Sequence, residues 1–95
     1  MQTRADRLRA ALTDAFAPER LEVTDDSASH AGHAGARAGG QTHYSVLLVS
    51  AAFQGESRVA RSRAVHAVLD AEFRDGLHAL ALTLRTPAEQ AAGAA

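Results

Sequence analysis

The sequence predicts an α+β fold, a three-stranded mixed sheet with helices packed on one face. Three observations carry that expectation. Apolar residues recur at helical spacing in two stretches, around Leu8 to Phe16 and around Val59 to Phe73. Alternating residues mark three short strands, around Leu21, Tyr44 and Leu80. The order is helix, strand, strand, helix, strand, helix, so the first two strands pair antiparallel and the third joins through a helical crossover, parallel to the second.

Each element has its own local reason. Thr3 followed by Asp6 makes a weak capping box, and Leu8, Leu12, Ala15 and Phe16 form a stripe, which predicts a helix over residues 4–16 ended by Pro18. Leu21 to Asp25 alternates, with Leu21 and Val23 inward. From Asp26 to Gln41 periodicity is lost. Four glycines and no large apolar side chain leave this segment nothing to bury, so a mobile loop is expected, and it carries His30 and His33. Loops of this length within a compact domain are usually functional or disordered.

His43 to Ser50 reads as the second strand, with Tyr44, Val46 and Leu48 inward and His43, Ser45, Leu47 and Val49 on the outer face. Residues 51–56 form a turn, and Ser57 is the N-cap of the next helix. Its stripe is Val59, Val65, Val68, Leu69 and Phe73, which fits better as a short turn followed by a longer helix, interrupted near Ala60 to Arg63. Gly76 stands where a C′ glycine belongs. The run Gly76 to Leu84 is the third strand, with His78, Leu80, Leu82 and Leu84 facing the helices and Ala79, Ala81 and Thr83 facing out. With Leu47 and Val49, the two alanines give a mildly apolar outer face. Thr86-Pro87-Ala88-Glu89 starts a short last helix, and residues 91–95 are expected to fray.

Composition narrows the function. Ninety-five residues are read as a single domain, 1–95, and 46% apolar residues with only 4% aromatics imply a small aliphatic core. A formal charge of -1 gives no overall field for nucleic acid or anionic lipid. No cysteine is present, so disulfides and thiolate ligands from this chain are excluded. Neither an apolar signal region nor a run of about 18 apolar residues occurs, and a cytoplasmic protein without a membrane span is the expectation. A phosphate-binding Gly-rich loop, a nucleophile elbow and a carboxylate pair in an apolar setting are all missing, which argues against an enzyme.

The residues that remain are imidazoles and guanidinium groups. From the residues alone, His78 reads as a histidine satisfied by a hydrogen bond at the edge of the core, with metal ligation as the competing reading. His30 and His33 read as solvated loop residues whose spacing lets one metal take both, so that with His78 they could hold Zn²⁺ or Cu²⁺ adventitiously. His43 is expected to be structural and His66 solvated. Arg58, Arg61 and Arg63 are the only local positive cluster, either a solvated or ion-paired face or a contact for phosphate or for an acidic partner. The Gly-x-x-Gly clamp of KH domains does not follow Gly55, so RNA binding by that clamp is not supported.

One ordered set of segments carries a resemblance: Leu21-Glu22-Val23 with Asp26-Ser27, Thr42-His43-Tyr44, Val49-Ser50, Phe53-Gln54-Gly55, Ser57 to Val65, and Leu77 to Leu82 before Thr86-Pro87. From about Leu8 to Glu89 the chain resembles the BolA family. The resemblance implies a type II KH-like arrangement, αββααβ with a short C-terminal helix. It also implies partnership with a monothiol glutaredoxin and a [2Fe-2S] cluster shared with the glutaredoxin cysteine and glutathione. The family's C-terminal ligand maps onto His78. Its loop ligand maps onto His30 in preference to His33, because His30 stands closer to the Asp-Ser element. Where the family usually has Arg-His-Arg, this chain has Arg61-Ser62-Arg63. The expectation is therefore a non-enzymatic adaptor in iron-sulfur trafficking or iron homeostasis. The alternative implied by the family is a DNA-binding transcriptional regulator acting through Arg58, Arg61 and Arg63. Self-association into a homodimer is left open.

Overall fold

The computed structural model describes residues 2–26 and 42–93. The elements are α1 (Arg4–Phe16), β1 (Arg20–Asp25), β2 (His43–Val49), a 3-10 turn (Ala51–Phe53), α2 (Arg58–Val68), α3 (Asp70–Arg74), β3 (Ala79–Arg85) and α4 (Pro87–Gly93). The sheet order is β1-β2-β3, with β1 antiparallel and β3 parallel to β2, as the element order implied. The expected Gly/His loop, with His30 and His33, lies outside the described residues except for Asp26, and so do residues 94–95 of the tail.

The caps explain where the helices begin. Thr3 Oγ1 accepts from the Asp6 amide at 3.1 Å and Asp6 Oδ2 accepts from the Thr3 amide at 3.1 Å, a complete capping box. These bonds hold the Asp6 carboxyl below its ordinary value. Ser57 Oγ accepts from the Ala60 amide at 3.1 Å to start α2. At α4 the box recurs, with the Glu89 amide donating to Thr86 Oγ1 at 3.2 Å and the Thr86 amide donating to Glu89 Oε1 at 2.8 Å. Pro87 takes the first helical position, where a missing N–H costs nothing. Gly76 follows α3 at φ 111°, a left-handed conformation that a side chain would strain.

One helical expectation is corrected. α2 runs unbroken through Ala60 to Arg63, and the interruption falls at Leu69, with φ -99° and ψ 12°, between α2 and α3. The inward stripe is Arg61, Val65 and Leu69, all buried, while Val59 and Val68 are exposed. A buried Arg61 fills the position at which the apolar residues alone leave a gap in the stripe.

The core joins Leu8 and Leu12 of α1, Val23, Tyr44, Val46 and Leu48 of the sheet, Phe53, Val65, Leu69 and Leu77. Leu80, Leu82 and Leu84 pack against it half-buried, while Glu22, Thr24, Ala79, Ala81 and Thr83 are exposed on the opposite face. Val49 departs from its expected place and is fully buried. It lies between Arg20 and Arg85 in the strand register, and the long stems of those arginines share its face. An ion network fixes α1 to α3, with Arg4 Nη1 2.7 Å and Arg7 Nε 3.0 Å from the Glu72 carboxylate. The Arg7 guanidinium holds the Glu72 carboxyl below its ordinary value.

Both outer strands carry an arginine on their open side. Arg9 Nη2 donates to the Val23 carbonyl of β1 at 3.3 Å, and Arg61 Nη1 donates to the Leu84 carbonyl of β3 at 3.2 Å. Among the described residues no helix is long and apolar enough to cross a membrane.

Candidate functional site

Parallel pairing of β2 and β3 aligns their N-terminal ends, and a histidine stands at each. His43 opens β2, and His78 immediately precedes β3. Their ring centroids are 5.3 Å apart, with planes inclined by 41°. His78 is exposed and His43 half-buried. This corrects the expected placement of His78 on the helix-facing side with Leu80. Strand alternation does not extend to His78, because its amide and that of Ala79 both donate to the Thr42 carbonyl, at 2.8 and 3.1 Å.

Thr42 is the hub of this corner. It is buried, its carbonyl holds the backbone of His78, and its Oγ1 lies 2.9 Å from His43 Nδ1. Such a contact on one ring nitrogen restricts the orientation of the imidazole. Asp26 and Thr42, the described residues on either side of segment 27–41, both bond at the start of β2. Asp26 donates its amide to the His43 carbonyl at 2.8 Å and its carboxylate accepts from Ser45 Oγ, while Thr42 closes the far end. Among the described residues no set of three or more His, Cys, Asp or Glu side chains converges on one point, so the described part of the chain offers two imidazoles here.

The pairing of His43 with His78 is the feature that sequence reasoning missed. Its signal was available: two strands read as parallel, each with a histidine at its start. Assigning His43 to the outer face and His78 to the inner one by alternation hid it. His66 is exposed, and its ring stacks on Phe73 with centroids 5.1 Å apart.

The three arginines separate. Arg58 and Arg63 are exposed, but Arg61 is buried. Its guanidinium forks onto Glu89, with Nη1 2.6 Å from Oε1 and Nη2 3.2 Å from Oε2. Nε donates to the Glu56 carbonyl at 3.0 Å, and the cation sits 5.7 Å from the centre of the Phe53 ring. This guanidinium, with the Thr86 amide, holds the Glu89 carboxyl down to about 2. Arg58 and Arg85 line a cleft of ≈ 490 Å³ between α2, β3 and α4, with the Arg61–Glu89 pair in its wall. Arg85 Nη1 donates to Gln90 Oε1 at 2.7 Å.

The fold and this corner together define a small α+β domain that presents imidazole and no thiol. The family model described as BolA-like protein matches residues 12–89, and the chain belongs to that family. It is 44% identical over 91 residues to SufE-like protein 1, chloroplastic/mitochondrial, of Arabidopsis thaliana, covering 92% of this chain but 24% of that protein. It is 49% identical over 79 residues to a protein named from the cobS 5′ region of a Sinorhizobium species, covering 82% of this chain and 85% of that one. Among solved structures, the BolA domain of SufE1 from Arabidopsis thaliana superposes with a TM-score of 0.84 at 43% identity, over 94% of this chain and 98% of that domain. The chain thus spans only about a quarter of the SufE-like protein, the part that corresponds to its BolA domain.

Proposed function

We propose that this domain is a non-enzymatic adaptor that binds a monothiol glutaredoxin and contributes imidazole ligands to a shared [2Fe-2S] cluster, in iron-sulfur trafficking or iron homeostasis. The observation that carries the reading is the exposed His78, braced by Thr42 in a chain without cysteine. Iron accepts imidazole readily, and a cluster with two histidines on one iron and sulfur ligands on the other is a known arrangement with a raised potential. The donor set fits that pattern, because this chain can supply nitrogen while the thiolates come from the glutaredoxin and glutathione.

His78 is the strand-edge ligand in this reading, and the segment between Asp26 and Thr42 supplies the second nitrogen, from His30 in preference to His33. A bound cluster would supply one-electron redox chemistry and a transferable iron-sulfur unit. The residues of this chain orient the donors: Thr42 and Asp26 hold the two ends of the connecting segment against β2, and Thr42 holds the His78 backbone. The family membership supports the reading, and the KH-like arrangement belongs to the same proposal. No specific observation favours DNA contact through Arg58, Arg61 and Arg63, since the middle cation is engaged with Glu89 inside the fold.

The test is reconstitution of the domain with a monothiol glutaredoxin, glutathione and iron, followed by visible absorption and circular dichroism. His78→Ala and His30→Ala are expected to change the cluster spectrum. Identical spectra for wild type and both variants would remove histidine ligation from the account.

A further inference from the structure

The cleft between α2, β3 and α4 holds positive charge that the fold itself leaves unmatched. Arg4, Arg7, Arg9, Arg20, Arg61 and Arg74 are ion-paired. Among the described residues that leaves Arg58, Arg63 and Arg85 without a carboxylate partner, and Arg58 and Arg85 both line the cleft. Arg61 and Glu89 in its wall cancel each other, so the cleft carries the charge of those two guanidinium groups. We infer that this cleft binds a small, non-aromatic phosphate ester, with Arg58 and Arg85 contacting its phosphate.

Topology is the first support. β2, α2 and β3 form a crossover unit with parallel strands. In such units ligands collect beyond the carboxyl ends of the strands, where a following helix presents its N-terminus. Leu82, Thr83, Leu84 and Arg85 close β3, and Arg58, Arg61 and Ser62 belong to the first turns of α2. The corner with His78 lies at the opposite end of the same strands, and the two sites share no residue.

Donor chemistry is the second support. Arg85 is half-buried, and its Nη1 donates to Gln90 Oε1 at 2.7 Å, which steadies the guanidinium. Its Nε and Nη2 have no partner among the described residues. Ser62 and Thr83, also in the lining, each carry a hydroxyl with no hydrogen-bond partner among the described residues. A phosphate monoester offers acceptor oxygens and carries about −1.5 to −2 charge near neutral pH, which suits two cations and two hydroxyl donors.

Size and lining select the rest of the ligand. The volume of ≈ 490 Å³ lies within the about 300–1,000 Å³ of small-molecule pockets and well exceeds a bare phosphate ion. Leu82 and Leu84 offer apolar contact to a carbon skeleton. No aromatic side chain among the described residues lines the cleft, so it lacks a platform for stacking a base. A sugar phosphate therefore fits better than a nucleotide.

The experiment titrates the full chain with glucose 6-phosphate at low salt and about pH 7.5, where the phosphate is a dianion. Amide and arginine Nε signals are followed by ¹H–¹⁵N NMR, with glucose and succinate as comparison ligands, and far-UV circular dichroism checks that each variant folds. Thr83 and Arg85 are expected to shift with a Kd in the millimolar range while His78 stays still, glucose is expected not to bind, and succinate is expected to bind at least about threefold more weakly. Arg58→Gln and Arg85→Gln should each weaken binding about tenfold, and Arg63→Gln should stay within about twofold of wild type. Arg58 is exposed, so its variant decides the matter if Arg85→Gln does not fold. The proposal is overturned if neither Thr83 nor Arg85 shifts at about 20 mM ester, well past a millimolar Kd. It is equally overturned if Arg63→Gln weakens binding as much as Arg58→Gln, which would mean diffuse attraction, or if succinate binds as tightly as the ester. Each of those results leaves the cluster reading standing, since that reading is judged on the glutaredoxin complex.

Discussion

Replacing Arg61 by alanine separates a structural role for this residue from a surface role. Its guanidinium is buried and donates to two backbone carbonyls, Glu56 at 3.0 Å and Leu84 at 3.2 Å. Hydrogen bonds to a charged partner contribute about 1.5 kcal/mol or more each, so losing both costs about 3 kcal/mol. The half-exposed Glu89 carboxylate regains water when the arginine goes and is left out of that figure. For a domain of this size about 3 kcal/mol corresponds to a fall in Tm of roughly 12–24 °C. Equilibrium urea unfolding of wild type, Arg61→Ala, Arg58→Ala and Arg63→Ala measures the difference. The two exposed arginines should stay within about 0.5 kcal/mol of wild type. An Arg61→Ala domain as stable as wild type would refute the reasoning and return Arg61 to the surface as a candidate contact.

Three further outcomes follow from the same contacts. Glu89 has its pKa lowered from an ordinary 4.5 to about 2, so its contribution is fully present above about pH 4.5 and is lost as pH falls toward 2. Glu89→Gln should flatten that part of the acid-unfolding profile, leaving the same-signed shares of Glu72 and Asp6. Tyr44 Oη is buried without a hydrogen-bond partner among the described residues, and burial pushes the phenol pKa up. Tyr44→Phe should therefore leave stability unchanged or raise it by up to about 1 kcal/mol in urea unfolding, and a clear loss would mean the hydroxyl is bonded. Leu77, buried between α3 and His78, should cost about 2–4 kcal/mol when truncated to alanine, measured the same way.

Much of the fold was legible because local chemistry and burial agree. The alternation of Leu80, Leu82 and Leu84 with Ala79, Ala81 and Thr83 matches the half-buried and exposed faces of β3. The cap residues Thr3, Ser57 and Thr86 stand at the helix starts where they were read. What escaped the sequence involves arginine and strand ends. A guanidinium that forks onto a carboxylate can occupy a core-facing position, as Arg61 does, and no hydropathy pattern counts it as inward. Val49 is fully buried on the face that alternation assigns outward, where its register partners are Arg20 and Arg85. At the candidate site, His78 was identified but its neighbour His43 was not, because alternation was extended one residue beyond the strand. That residue is where the chain turns its amide onto Thr42 and period two no longer applies.

The two guanidinium groups seated on Val23 and Leu84 have a consequence for how the protein behaves at high concentration. A sheet with free margins invites another molecule's backbone to zip onto it, the first step toward fibrils. Here each margin holds a fixed positive charge on one of its outward carbonyls, so an incoming strand must displace a cation before it can bond there. Substituting Arg9 and Arg61 together would therefore remove two obstacles to fibre growth at once, quite apart from any effect on folding.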